Sequence, residues 1–178
     1  MWQPGELEPR ELRVVSLDEL CVGKILALLD RAAVRDAWDV GRLPRIAPEV
    51  LGSKPFRVRF LALSAILDHP LTAYGRDRLA ERETEREVRE RLLPMLVAGQ
   101  EAGVERLVEN AWGVVEPLLE LEAEEVEFVT AIQRGEFRGD LLRADALSGV
   151  DALESHPAVQ WKLRSVRRHQ GRKAGGET

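Results

Sequence analysis

Residues Val14–Leu43 read VVSLDELCVGKILALLDRAAVRDAWDVGRL, and this segment decides how the rest of the chain is interpreted. Ser16 and Glu19 have the spacing of a capping box, in which each side chain satisfies a free backbone N–H at the start of a helix. The segment therefore predicts the end of a short strand at Val14 and Val15, a helix beginning at Leu17, a short break, and a second helix rich in charged residues.

Lys24 lies in the middle of the apolar face predicted for the first helix. Helical spacing places Leu17, Leu20, Cys21 and Leu28 on that face, with Lys24 between them. A lysine in this position must extend to water, pair with an acid, or face a cleft that holds a negative ligand. A lysine that extends to water at the edge of the core is the commoner arrangement, so this position alone does not identify a ligand site.

Further charged residues converge on Lys24. Arg31 lies two turns along the same helix face. In the second helix, Asp36 and Asp39 share a face, and Arg35 has the i, i+4 spacing that allows a pair with Asp39. One interpretation is a charge-paired surface, and pairs of this kind contribute little to stability. The other is a phosphate-binding Lys/Arg pair facing carboxylates that orient the cations, hold a metal or act as a base.

The motif that contains these residues resembles a known family. Residues 16–40 read S-L-D-E-L-x-x-x-K-x-x-A-L-L-D-R-A-A-x-R-D-A-W-D-V. This is similar to the helical half of the AbiEii/AbiGii-type nucleotidyltransferase toxins, which carries S-x-E-E-L-x-x-x-K-x-x-A-L-x-x-R-x-x-x-R-D-x-[YW]-D-L. Residues 115–121, 124–128 and 135–137 extend the likeness, and H-P-A-V-Q-W-K-L at residues 156–163 resembles the family's closing H-P-A-L-x-W-K-L. The resemblance covers the chain from about Glu11 to His169.

The resemblance implies a mainly α fold: a helical, bundle-like C-terminal half of a nucleotidyltransferase with one short N-terminal β-strand. It implies transfer of a nucleoside monophosphate from a nucleoside triphosphate to an acceptor such as tRNA or another RNA, in a toxin–antitoxin or abortive-infection system. Lys24 is then expected to bind the triphosphate with help from Arg31 and Arg35, while Asp36 and Asp39 orient the lysine and contribute an acidic group. A cognate antitoxin encoded nearby is the expected partner.

The metal-binding half of that family is not recognisable in this chain. In the family, a Gly-Ser or Gly-Gly-Thr element is followed by an Asp-x-Asp pair that holds Mg²⁺ against the triphosphate. The 178 residues contain no Asp-x-Asp, and Gly52-Ser53 has no acidic pair at a suitable distance after it. We therefore expect no metal ligands here, and expect NTP and Mg²⁺ to be used only with an N-terminal catalytic half supplied in trans or in a longer chain. The alternative is a truncated, inactive remnant or a non-enzymatic helical interaction module.

Composition restricts the remaining possibilities. The net charge of −5 argues against a general affinity for nucleic acid. The single cysteine, Cys21, excludes an internal disulfide and a cysteine-based zinc site, and it fits a reducing compartment. Because we find neither a signal peptide nor an apolar run long enough to cross a bilayer, we expect a cytoplasmic protein that does not associate with membranes.

The chain is predicted to have four parts. Residues 1–10 form a flexible N-terminus, 11–43 the strand and the Lys/Arg/Asp helix pair, 44–169 a C-terminal helical domain, and 170–178 a disordered tail. Within the third part, the spacing of apolar or charged residues predicts helices over Arg57–Leu67, Arg76–Val97, Val104–Leu121 and Ala123–Arg134, and a last helix beginning near His156-Pro157. Gly135 is expected to cap the helix before it.

The C-terminal end is locally basic in spite of the acidic total. The residues concerned are Lys162, Arg164, Arg167, Arg168, Arg172 and Lys173. One explanation is the favourable placement of cations at a helix end, followed by a tail that has nothing to pack against. The other is a contact with an RNA backbone.

Overall fold

The structure, a computed structural model, describes residues 14–97, 100, 102–142 and 150–174. The α-helices within these ranges are α1 (Leu17–Arg31), α2 (Val34–Ile46), α3 (Pro48–Leu51), α4 (Lys54–Ser64), α5 (Arg76–Arg82), α6 (Glu85–Glu87), α7 (Val104–Leu119), α8 (Ala123–Gln133), α9 (Val150–Glu154) and α10 (Pro157–Ala174). Single turns of 3₁₀-helix lie at Leu71–Ala73, Leu93–Met95 and Gly139–Leu142, and a π-helical turn lies at Val88–Leu92. The mainly α fold predicted from the sequence is confirmed.

The predicted N-terminal strand is not observed in the described residues. Val14 and Val15 have no regular secondary structure and are exposed, and residues 11–13 lie outside the described ranges. A strand needs a neighbouring strand to satisfy its backbone groups, and the described ranges contain none.

Helices α1 and α2 form an antiparallel hairpin with a tight turn. Ala32 adopts a left-handed conformation (φ 49°), and its N–H donates to the carbonyl of Leu28 at 2.8 Å. This arrangement closes α1 with an αL cap, and Ala33 then enters α2 in an extended conformation. The predicted helix start at Leu17 and the predicted break after the first helix are both confirmed.

Two details at the start of α1 differ from the prediction. Ser16 forms no capping bond, because its hydroxyl accepts a hydrogen bond from Arg59 Nη1 at 3.2 Å instead. Leu17 and Leu20, which were predicted to lie on the buried face, are exposed. The buried face of α1 consists of Cys21, Val22, Ile25, Leu26, Leu28 and Leu29. The buried face is therefore rotated about the helix axis relative to the predicted face. As a result, Lys24 lies at the border of the core and not in the middle of the apolar face.

Helix α2 is longer than predicted and packs mainly on α7. It continues through Pro44 to Ile46, and the next helix, α3, begins at Pro48. Gly41 allows the two helices to approach closely, because a Cβ atom at this position would lie 2.9 Å from Cβ of Asn110. Among the described elements, α2 and α7 share the most extensive contact.

Helix α4 supplies much of the apolar core. Phe56, Phe60 and Leu61 are fully buried, and the helix begins at Lys54 with Pro55 in its first turn, three residues before the predicted start at Arg57. On the same helix, Arg57 donates to both carboxylate oxygens of Glu125 at 2.9 and 2.6 Å, and to the carbonyls of Leu118 and Glu120 at the C-terminal end of α7. This side chain ties the ends of α7 and α8 to α4.

The predicted helix over Arg76–Val97 is interrupted at Glu83. The backbone of Glu83 is extended, and Thr84 then caps α6 by accepting the N–H of Glu87 at 3.2 Å. Because the Glu83 side chain turns into the interior, the chain cannot continue there as one solvated helix. Pro94 lies in the 3₁₀ turn Leu93–Met95, where a proline cannot donate the backbone hydrogen bond that would continue an α-helix.

The C-terminal part closes the core. Gly135 (φ 80°) follows α8, and the backbone N–H groups of Gly135 and Glu136 cap its last turn, as predicted. Val159 and Leu163 of α10 are buried in the same apolar cluster as the buried face of α1. Helix α10 extends to Ala174, beyond the predicted start of the tail at 170, and residues 175–178 lie outside the described ranges. No helix in the described residues combines the length and the apolar character needed to cross a membrane.

Candidate functional site

Two ion pairs join α1 to α2 across their hairpin. Lys24 Nζ lies 2.6 Å from Asp39 Oδ2. Arg31 donates to both oxygens of Asp36, from Nε at 2.6 Å and from Nη2 at 2.9 Å. Because the helices run antiparallel, Arg31 near the end of α1 meets Asp36 near the start of α2. Lys24, seven residues earlier on α1, meets Asp39, three residues later on α2. The hairpin thus brings together four of the five predicted site residues.

The two pairs differ in burial, and this separates their roles. The Asp36 side chain is only 5% exposed, whereas the Arg31 side chain is 64% exposed. Arg31 therefore neutralises the charge of a carboxylate that is no longer hydrated. Lys24 and Asp39 are 39% and 42% exposed, so a ligand can reach them and compete for the lysine. Both cations are accessible, and Lys24 is the one whose carboxylate partner is accessible as well.

Arg35, the fifth predicted residue, lies apart from the other four. Its Nη1 atom contacts the sulfur of Met95 at 3.7 Å. It does not form the predicted pair with Asp39, whose Oδ2 atom accepts from Lys24 instead. The i, i+4 spacing permitted an Arg35–Asp39 pair, but the contact between the two helices determined which cation Asp39 meets.

A cavity of about 780 Å³ opens beside Lys24. Lys24 and Arg31 line it together with the carboxylates of Glu19, Asp30, Asp36 and Asp68. His156, the first residue of the H-P-A-V-Q-W-K-L stretch, lines its other side. Two stretches of the sequence that carried the resemblance therefore meet in one cavity, whose volume is in the range of small-molecule sites.

Comparison with known proteins identifies the family. Residues 2–112 match the family model described as nucleotidyl transferase AbiEii toxin, Type IV TA system. The chain belongs to the AbiEii family. The matched range contains the whole α1–α2 hairpin, whereas residues 156–163 lie outside it. No curated protein and no solved structure matches the chain.

Membership in the AbiEii family implies a nucleotidyltransferase toxin of a type IV toxin–antitoxin system. It also implies a nucleoside triphosphate as substrate and an antitoxin as partner. The predicted family is confirmed.

The described residues of this AbiEii-family chain do not form a magnesium site. No group of three or more His, Cys, Asp or Glu side chains is placed to hold a metal in the described ranges. Both oxygens of Asp36 accept from Arg31, and Asp39 accepts from Lys24. Carboxylates that neutralise cations in this way are poor candidates for Mg²⁺ ligands. We therefore derive no step through a metal from these side chains.

Glu83 is a buried carboxyl that the sequence did not single out. It is 1% exposed, and neither of its carboxyl oxygens has a hydrogen-bond partner in the described part of the chain. Burial, and to a smaller extent the negative charge of Asp36, raise the pKa of Glu83 to about 7. The alternating charges around Glu83 predicted a solvated helix, so the spacing contained no signal for its burial.

The basic C-terminal end is used partly for packing. Lys162 is buried and donates to the carbonyl of Leu67 at 2.6 Å, and Arg167 donates to the carbonyl of Gly135 at 2.7 Å. Of the two explanations for this basic end, the RNA contact is therefore contradicted for Lys162, which is buried and bonded to the main chain. Arg164 and Arg168 are exposed beside Trp161.

Proposed function

We propose that this AbiEii-family chain is the helical half of a nucleotidyltransferase and that Lys24 binds the triphosphate of the incoming nucleotide. The reaction transfers a nucleoside monophosphate to an acceptor such as tRNA. The observation that carries the proposal is that Lys24, which is partly exposed and pairs with Asp39 at 2.6 Å, lines the 780 Å³ cavity. A cation on a rigid helix beside a cavity of this volume is suited to a phosphate ligand.

The proposed roles follow from the two ion pairs. Arg31 binds Asp36 through Nε and Nη2, which leaves Nη1 available for a phosphate oxygen. Asp39 holds Lys24 in place until the nucleotide arrives. Arg35 is not included in the phosphate-binding set, because its guanidinium contacts Met95.

The chemistry requires charge stabilisation at the leaving group. The acceptor hydroxyl forms a bond to the α-phosphorus, and the bond from that phosphorus to the pyrophosphate oxygen breaks. Lys24 stabilises the negative charge that develops on the pyrophosphate. When the nucleotide binds Lys24, it releases Asp39 from the ion pair. The Asp39 carboxylate can then accept the proton of the acceptor hydroxyl.

An exposed apolar patch is consistent with docking of a second half of the enzyme beside the cavity. The patch consists of Val14, Val15, Leu17, Leu20 and Ile66. Three of these residues, Val15, Leu20 and Ile66, also line the cavity. We propose that the half bearing Asp-x-Asp covers this patch, either in trans or in a longer chain, because adjacent apolar side chains favour burial against a partner. That half would supply the carboxylates that hold the metal.

Equilibrium binding of ATP, GTP, CTP and UTP to the Lys24→Ala variant tests the proposal. We expect at least a tenfold loss of affinity for the preferred nucleotide, with unchanged helical circular dichroism. Lys54→Ala is the matched control, because Lys54 is exposed, lies in none of the described ion pairs and lines none of the described cavities. Its affinity should equal that of the wild type.

A non-enzymatic helical module is the second candidate, and one observation favours it. Lys24 and Asp39 neutralise each other at 2.6 Å, as an ordinary surface ion pair would. If Lys24→Ala and Lys54→Ala bind every nucleotide as the wild type does, the assignment of Lys24 to the triphosphate fails and the module is favoured.

A further inference from the structure

A groove between α2 and α7 concentrates positive charge. Arg42 and Arg45 on α2 and Arg106 on α7 line a cavity of about 440 Å³, which we call the arginine groove. No described carboxylate lines it, and none of the three guanidinium groups is in an ion pair within the described ranges. In a chain with a net charge of −5, three such arginines in one cavity require an explanation.

Helix α2 separates its charges between two sides. Asp36 and Asp39 face α1, where Arg31 and Lys24 neutralise them. Trp38, Arg42 and Arg45 recur at four- and three-residue spacing on another side, which faces α7. The positive potential of the groove is therefore not cancelled by carboxylates of its own helix.

The walls of the groove are held in place before any ligand binds. Close packing at Gly41 fixes α2 against α7. The Arg42 guanidinium lies 5.4 Å from the centroid of the Trp38 ring, so the cation and the aromatic ring form a stack at the edge of the cavity. The N-terminal turn of α7 begins after Gly103, which also lines the groove, and adds the partial positive charge of its free N–H groups.

We propose that the arginine groove binds a nucleoside phosphate. Guanidinium groups bind phosphate oxygens in a forked geometry, and nucleobases stack on aromatic rings and guanidinium planes. The Arg42–Trp38 stack supplies the platform for the base, and the amide of Asn110 offers both a donor and an acceptor to its edge. The ligand is a free mononucleotide or the terminal nucleotide of a single strand, since both present this chemistry.

This site is distinct from the one proposed for the incoming triphosphate. The arginine groove and the cavity beside Lys24 share no lining residue. The inference goes beyond the proposed function and does not depend on Lys24. AMP and single-stranded RNA, which lack the triphosphate assigned to Lys24, should therefore bind to the Lys24→Ala variant with wild-type affinity. Failure of one proposal can then be told apart from failure of the other.

The experiment measures binding of two probes to the full chain: AMP, and a fluorescein-labelled single-stranded RNA of about eight nucleotides. For the Arg42→Gln/Arg106→Gln variant we expect at least a tenfold loss of affinity for the probe that binds. If that probe is the RNA, loss of two phosphate contacts should also reduce the slope of log K against log salt by about 1.4. Trp38→Leu should weaken binding by about fivefold or more, and Trp38→Phe should restore most of it because the ring is kept.

Two variants with the same change of charge serve as controls. Lys54→Gln/Arg76→Gln removes two exposed cations that line none of the described cavities. Arg164→Gln/Arg168→Gln removes the exposed pair beside Trp161, which is the other place where arginine and tryptophan lie together at the described surface. Both variants should bind as the wild type does.

The possible outcomes distinguish a free mononucleotide from a strand end, and either of these from failure of the proposal. Binding of AMP alone assigns a free mononucleotide, and binding of the RNA alone assigns a strand end. The proposal is overturned if neither probe binds, if inorganic phosphate binds as tightly as AMP and the RNA does not bind, or if Arg42→Gln/Arg106→Gln binds normally. It is also overturned if only Arg164→Gln/Arg168→Gln loses binding.

Discussion

Arg31 donates to both carboxylate oxygens of Asp36 across the turn between α1 and α2, at 2.6 and 2.9 Å. The pair is asymmetric, because the carboxylate is buried and the guanidinium is largely exposed. A buried carboxylate that loses its only cation retains the full cost of its desolvation, whereas an arginine that loses its acid is solvated by water. The contribution of this pair therefore depends on which partner is removed.

Arg31→Ala should destabilise the protein by roughly 2 to 3 kcal/mol, because it leaves Asp36 buried and unpaired. Arg31→Lys should cost less, since it keeps the charge but loses the forked geometry. Urea unfolding followed by circular dichroism measures both. Adding Asp36→Asn to Arg31→Ala should recover part of the loss. If the double variant is less stable than Arg31→Ala, a buried unpaired charge is not the cause.

Glu83 gives the protein a pH-dependent stability. Its pKa in the folded state is about 7, raised by burial and then by the charge of Asp36, whereas the unfolded value is 4.5. Because the folded pKa is the higher one, the stability contributed by the neutral carboxyl is fully present below pH 4.5 and is lost as the pH rises through 7. Between pH 5 and pH 8 we expect the wild type to lose roughly 1 to 3 kcal/mol through this group.

Glu83→Gln removes this titration and should flatten the dependence of the unfolding free energy on pH between 5 and 8. Glu81→Gln is the matched control, because Glu81 lies on α5 and is exposed. It should retain the wild-type pH profile. Equal profiles for wild type and Glu83→Gln would show that Glu83 does not titrate in this range.

The sequence predicted the features that depend on local spacing. The start of α1, the break before α2 and the glycine cap at Gly135 each follow from a few neighbouring residues. The meeting of Lys24 and Arg31 with the acids of α2 also follows from helical periodicity across a short turn. The roles of these residues in nucleotide binding remain predictions.

Features that depend on packing between distant elements could not be predicted in the same way. Glu83 belongs to a stretch of alternating charges, and only its extended backbone turns the carboxyl inward. Lys162 resembles its basic neighbours in the sequence, yet it donates to the carbonyl of Leu67, 95 positions away. The arginine groove likewise requires α7 to lie against α2, and no short motif encodes that contact.

Gly41 and Gly23 are both interior helix positions, and alanine should affect them in opposite directions. At Gly41 a Cβ would lie 2.9 Å from Cβ of Asn110 and 3.4 Å from the backbone nitrogen of Ala111. The Cβ of Asn110 is fixed to its backbone and cannot rotate away, so α2 and α7 must separate, and we expect Gly41→Ala to cost about 1 to 3 kcal/mol. At Gly23 a Cβ would meet nothing within 4 Å, so Gly23→Ala should stabilise α1 by up to about 1 kcal/mol.

Thermal unfolding of the two variants, compared with the wild type, measures both effects. For a chain of this length, 1 kcal/mol corresponds to roughly 2 to 4 °C in Tm, so the variants should fall on opposite sides of the wild type. Gly41→Ala should also weaken binding of whichever probe occupies the arginine groove, because the separation of α2 from α7 moves Arg106 away from Arg42. Gly23→Ala should leave that binding unchanged. A Gly41→Ala variant as stable as Gly23→Ala would contradict the close approach of the two helices at this position.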